Sequence, residues 1–212
     1  MRWILALAAL GLAATAPAFA QTTSTSTGAA TAAVTPSSVT RFTGEVTALS
    51  ATSISVRSDD GQTTTLPLAP DYILVIGHPI QASEIKPGDF VATANVNVDD
   101  NSGRSVELRV FPPGLRAGEG SYPMDRPNVT MTNATVAEVT DVADGRQLTV
   151  RYPGGERHIT LPASVTVVGQ RMGDHALLHT GWHVHGYARN VNGVLTASYI
   201  YSGENGAEPP GR

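Results

Sequence analysis

From Arg41 to Tyr201 the chain alternates apolar and polar residues in short runs. TGEVTAL (43–49), SISVRS (53–58), TTTLPL (63–68), YILVIG (72–77) and SVELRVF (105–111) are separated by turn residues, among them a DDG at 59–61. Ile54 and Val56, then Val106, Leu108 and Val110, then Leu148 and Val150 recur at period two. That period turns one side of a strand inward and leaves the other wet. Helix formers are scarce, whereas Thr, Val, Gly, Ser and Pro are common, which favours strands and turns. The pattern predicts an all-β protein.

The runs occur twice. A second series reads NATVAEV (133–139), QLTVRY (147–152), RHITLPA (157–163), VTVVG (165–169), DHALLHTGWHVHGYA (174–188) and GVLTASYIY (193–201). Val46 matches Val136, Val56 matches Val150, Leu66-Pro67 matches Leu161-Pro162, Gly77 matches Gly169, and Gly88 matches Gly181. Order is kept with small drift, as loop insertions in a duplicated unit produce. Five or six short strands per copy fit a small closed barrel, which leaves no sticky sheet edge. The predicted architecture is therefore two tandem OB-like or SH3-like barrels, residues 41–111 and 133–203. Between them, residues 112–132 are rich in Pro and Gly yet carry Leu115, Tyr122, Met124 and Met131, so an ordered connector is expected.

Met1-Arg2, the apolar run Trp3–Leu12 and Ala18-Phe19-Ala20 form the pattern of a secretory signal peptide over residues 1–20. The small polar stretch 21–40 reads as a flexible tether, and 204–212 as a flexible tail. These signals point to a periplasmic or secreted bacterial protein without membrane insertion, since the apolar run is too short to span a bilayer. The chain has no Cys, so disulfides and thiolate metal sites are excluded. Its formal net charge is −4 and Lys86 is its one lysine. A nucleic-acid binder needs a basic footprint that this composition does not supply.

DHALLHTGWHVHGYA holds four of the six histidines: His175, His179, His183 and His185. Asp174 fits an N-cap, which places His175 and His179 on one face of a short helical turn. His183 and His185, two apart on the following strand, point to the same side. Converging imidazoles suit Cu(II), Zn(II) or Ni(II), with Asp174 as ligand or as the group that orients a ring. The plainer reading is a strand with a solvated face that carries histidines. No other cofactor is implied. Asp59-Asp60-Gly61 and Asp99-Asp100-Asn101 resemble calcium ligands, but hairpin turns account for them. No GxSxG, SxxK or HExxH is present. Tyr199 and Tyr201, with Trp182 and Tyr187, form an aromatic stripe suited to a sugar or peptide, or to barrel packing.

The IKPGDFV turn, and the connector FPPGLRAGEGSYPMD followed by MTNATV, resemble a family of secreted bacterial proteins of unknown function. The resemblance covers about residues 40–202 and implies OB-like barrels in tandem. Some members carry the label of a metal ABC transporter permease, which needs several membrane spans that this chain lacks. The family's connector has a His and a Trp where this chain has Ser121 and Met124. The resemblance implies no activity. The expectation is a non-catalytic periplasmic module that binds an envelope protein or small ligand. The alternative is a periplasmic metal-binding protein that uses the cluster 175–185.

Overall fold

The computed structural model describes residues 39–116 and 118–209. The expected signal peptide, almost all of the expected tether and residues 210–212 lie outside them. The described chain is all-β. Its strands are β1 (Thr40–Leu49), β2 (Ser53–Arg57), β3 (Thr63–Ile80), β4 (Phe90–Asn97), β5 (Ser102–Val110), β6 (Gly120–Pro123), β7 (Val129–Val142), β8 (Gly145–Tyr152), β9 (Gly155–Pro162), β10 (Val167–Met172), β11 (His183–Val191) and β12 (Val194–Gly203). Three short 3-10 turns, Ala82–Glu84, His175–Leu177 and Glu204–Gly206, accompany them.

The hairpins close where the turn chemistry predicts. Asp60 accepts hydrogen bonds from the Ser58 hydroxyl and the Gln62 amide, and Asp99 from Asn101 N and Ser102 Oγ. Those bonds, the hydroxyl's first in each case, hold both carboxyls below the usual carboxylate range. Each aspartate is thereby explained as a turn former.

Strand pairing runs β12-β11-β1-β2-β3, and parallel pairing of β12 with β3 closes these five strands into a barrel. A second circuit runs β5-β4-β7-β8-β9 and closes through parallel β5–β9 pairing. The circuits do not follow the two sequence repeats. The first takes β1, β2 and β3 from the first repeat and β11 and β12 from the second. The second takes β7, β8 and β9 from the second repeat and β4 and β5 from the first. The cause lies in β3, which runs for 18 residues without a reversing turn. It pairs with β2 over Thr63–Pro67, then with β12, then with β10 over Val75–Ile80, and so leaves its own circuit. The β4–β5 hairpin that follows is delivered to β7.

Each circuit has its own core. Val46, Ile54, Val56, Leu66, Leu74, Val184 and Ile200 fill the first. Val91, Leu108, Val136, Leu148, Val150, Ile159 and Leu161 fill the second. These are the period-two positions, and each buried Leu or Ile contributes about 1.5–3 kcal/mol. β3 and β10 join the circuits antiparallel. Across this junction Gly77 faces Gln170 and Gly169 faces His78. Both glycines are there because of close approach. A Cβ on Gly77 would lie 2.4 Å from the Tyr201 hydroxyl, and one on Gly169 2.6 Å from Ile80 Cγ2.

Connector residues are tied to the barrels. Phe111 N donates to Phe90 O, Arg116 to Thr135 Oγ1, and Asn133 Nδ2 to Gly118 O, while β6 pairs with β7.

Candidate binding cleft

The residues expected to hold a metal occupy separate surroundings. Asp174 caps the turn as expected, accepting the Ala176 amide at 2.8 Å. The turn is 3-10 and spans only His175–Leu177, so it carries His175 and His179 apart. His175 stacks on the Tyr72 ring at 3.7 Å, and its Nε2–H donates to the Tyr72 carbonyl at 2.6 Å. His179 meets the edge of Trp182 at 5.9 Å. His183 and His185 share the outer side of β11, but His183 is exposed and lies opposite Glu45 on β1. His185 lies opposite Thr43 on β1 and Tyr201 on β12. Among the described residues no three His, Asp or Glu side chains gather at one point.

His185 instead belongs to a cleft. The inward positions of β11 and β12, Val184, Gly186 and Ile200, face the first core, so the alternate positions point outward. Across β1, β11 and β12 this places Arg41, Tyr187 and Tyr199 in one row and Thr43, His185 and Tyr201 in the next. Ala92 of β4, Arg109 of β5, and Met131 and Asn133 of β7 present the outer side of the second circuit to them. Phe111, Leu115 and Arg116 of the connector form a further wall, and Gln170 of β10 lies in the lining beside Gly77. The space between is about 490 Å³. That falls within the usual range for a small-molecule site, and junctions between folded units are where such sites concentrate.

Three arginines line this cleft and no carboxylate does, in a chain of net negative charge. Arg109 pairs with Glu107 at 2.5 Å and lies 5.7 Å from the Tyr201 ring centre. Arg116 lies 4.9 Å from the Phe90 ring centre and pairs with Glu119 at 3.4 Å. Arg41 lies 5.7 Å from the Tyr187 ring centre and has no ion pair among the described residues. Arg41 and Arg116 are exposed at the rim, whereas Gln170 and Tyr201 are 8 % and 4 % exposed at the floor.

The floor holds unused polar capacity. Gln170 Oε1 and the Tyr201 hydroxyl are buried without a hydrogen-bond partner. The Gln170 amide lies near enough to favour ionised Tyr201, but the two do not meet hydrogen-bond geometry. Burial raises Tyr201 above the ordinary tyrosine range, outweighing the nearby Arg109 charge and then Gln170, which both favour the ionised form. Tyr199 is raised further, by burial first and then by its neighbours Tyr201 and Tyr187. Both are neutral phenols at physiological pH. A buried unpaired polar atom costs about 1–3 kcal/mol, a cost that a ligand able to bond it would relieve.

Fold and cleft together define the class: an all-β protein with a closed five-strand barrel and a basic, tyrosine-lined cleft at its β3–β10 junction. Protein-family models, curated proteins and solved structures offer no match to this chain.

Tyr187, Tyr199 and Tyr201 belong to the aromatic stripe expected to suit a sugar or peptide, or barrel packing, and His185 to the expected metal cluster. Arg41, Arg109 and Gln170 carry no signal in the sequence, and Arg116 reads there only as a connector charge expected to pair, as it does with Glu119. The available signal was the outward phase of β11 and β12, where Tyr and His take positions that a merely solvated face fills with small polar residues. Trp182 leaves the stripe and packs against the first core and Gly206.

Proposed function

We propose that the protein is a non-catalytic binding module of the bacterial envelope whose ligand site is the cleft between the two strand circuits. The observation that carries this reading is the pair of buried, unpartnered polar groups at its floor, Gln170 Oε1 and the Tyr201 hydroxyl, beneath a rim of arginines. Binding rather than turnover is supported by the chemistry of the wall. Burial holds the phenols of Tyr199 and Tyr201 above the ordinary tyrosine range, so neither supplies a phenolate nucleophile or base, and the lining holds no carboxylate. The envelope address rests on the signal pattern of residues 1–20. A tandem OB-like relationship of the two repeats is part of the same reading, with strands exchanged between them.

A thermal-shift screen of residues 21–212 against small organic acids and neutral aromatics tests the site, beside Ala92→Trp, which fills the cleft from β4. A compound at a hundredfold its Kd adds about 2.7 kcal/mol, a rise of about 5–10 °C in Tm for a domain of this size. The reading expects such a rise in the wild type and its loss in Ala92→Trp. An equal rise in both, or none with any compound, defeats it. The metal reading of Asp174, His175, His179, His183 and His185 rests on spacing alone. One equivalent of Cu(II), Zn(II) or Ni(II), lost in His183→Ala/His185→Ala, would bring it forward.

A further inference from the structure

The lining of the cleft is specific enough to name a ligand chemistry, an inference that rests on the binding reading above. Its ends differ. Arg41 and Arg116 stand at the exposed rim on separate elements, β1 and the connector. Gln170 Oε1 and the Tyr201 hydroxyl lie at the buried floor without partners. Between rim and floor the walls are mostly rings and apolar side chains, Tyr187 and Tyr199 from β11 and β12, Phe111 and Met131 from the facing elements, with His185 and Asn133 as the polar exceptions. Tyr187 and Tyr199 stand 5.7 Å apart between ring centres and tilted by 49°, so they offer ring surface to a third flat group.

We infer that the cleft binds a flat aromatic carboxylic acid, its carboxylate at Arg41 and Arg116 and a hydroxyl at its far end between Gln170 and Tyr201. The match is one of complementarity throughout. A carboxylate supplies the charge that Arg41 lacks among the described residues, and guanidinium groups bind carboxylates through parallel N–H donors. A phenolic hydroxyl both donates and accepts, so it serves Gln170 Oε1 and the Tyr201 hydroxyl together. A flat, mostly apolar body matches a wall made chiefly of rings and apolar side chains. Arg109, paired with Glu107 and set over Tyr201, holds the floor in place. No bond is made or broken.

The test is calorimetric titration of residues 21–212 with four probes: 6-hydroxy-2-naphthoate, its neutral carboxamide, 2-naphthoate and glucuronate. The hydroxynaphthoate is expected to bind one equivalent. The carboxamide and 2-naphthoate should each bind at least tenfold more weakly, and glucuronate, an acid without a ring of the right kind, more weakly still. Arg41→Gln/Arg116→Gln should bring acid and carboxamide to equal affinity. Both residues are exposed, but Arg116→Gln gives up the bond to Thr135 Oγ1, so circular dichroism and Tm establish first that the variant keeps the fold. If acid and carboxamide bind the wild type equally, or glucuronate matches the naphthoate, the ligand class is wrong while the cleft stands as a site. If no probe binds and Ala92→Trp changes nothing, the cleft itself fails.

Discussion

The assembly of each strand circuit from segments far apart in the chain has a measurable consequence for unfolding. Leu148 is fully buried in the second core and Ile54 in the first. Truncating either to Ala removes buried methyl and methylene groups and leaves a cavity, at a cost of about 2–5 kcal/mol. For a domain of this size each kcal/mol lowers Tm by about 2–4 °C, so each variant should lose about 4–20 °C. What distinguishes the architecture is how the loss is distributed. β4 and β5 lie in the second circuit, yet they follow β3 directly and return to β10. The two circuits share no strand, but β10 pairs with β3 of the first and with β5 of the second, so one continuous set of hydrogen-bonded strands couples them. Scanning calorimetry of residues 21–212 should therefore show one transition, with calorimetric and van't Hoff enthalpies equal, and each truncation should move the whole peak. Two transitions, with Ile54→Ala shifting one and Leu148→Ala the other, would refute the reasoning and restore independent tandem barrels.

Other consequences are equally direct. Tyr199 and Tyr201 titrate above the ordinary tyrosine value of 10.0, so their contribution to stability is complete below about pH 10 and is lost as pH rises through the higher folded-state values. Denaturant midpoints measured from pH 8 upward should fall above pH 10, and Tyr199→Phe should flatten that fall; an unchanged slope counts against the buried phenol. Gly77→Ala pushes a Cβ to 2.4 Å from the Tyr201 hydroxyl and should cost about 1–3 kcal/mol, partly recovered in Gly77→Ala/Tyr201→Phe. Additive losses in that double variant would mean the two residues do not touch. Arg157, 6 % exposed, donates to Asn97 Oδ1 and Ser102 O, and Arg157→Met should cost about 1–3 kcal/mol in urea unfolding by leaving those acceptors bare.

Strand positions were legible because a half-buried strand must alternate. Ile54, Val56, Leu148 and Val150 fall inward as the period requires. The matched glycines Gly77 and Gly169 were legible too, and the junction explains them by close approach on both sides. Partner choice was not legible. β4 is buried on both sides, Phe90, Val91, Thr93, Ala94 and Asn95 alike, so its sequence marks neither a wet face nor a partner, and the unbroken length of β3 decides which circuit it joins. Asp174 and the residues after it mark a capped turn in the sequence but not its tight 3-10 form, in which His175 stacks on Tyr72 and His179 meets Trp182. The cleft was hidden because its cations, Arg41, Arg109 and Arg116, come from β1, β5 and the connector, and only the fold brings them together.

The most direct test of the account is an NMR titration of 15N-labelled residues 21–212 with 6-hydroxy-2-naphthoate. The account predicts shifts gathered on Arg41, Ala92, Gln170, His185, Tyr187, Tyr199 and Tyr201, saturating at one equivalent. Shifts centred on Asp174–His183, or spread thinly over the barrel surface, would contradict it.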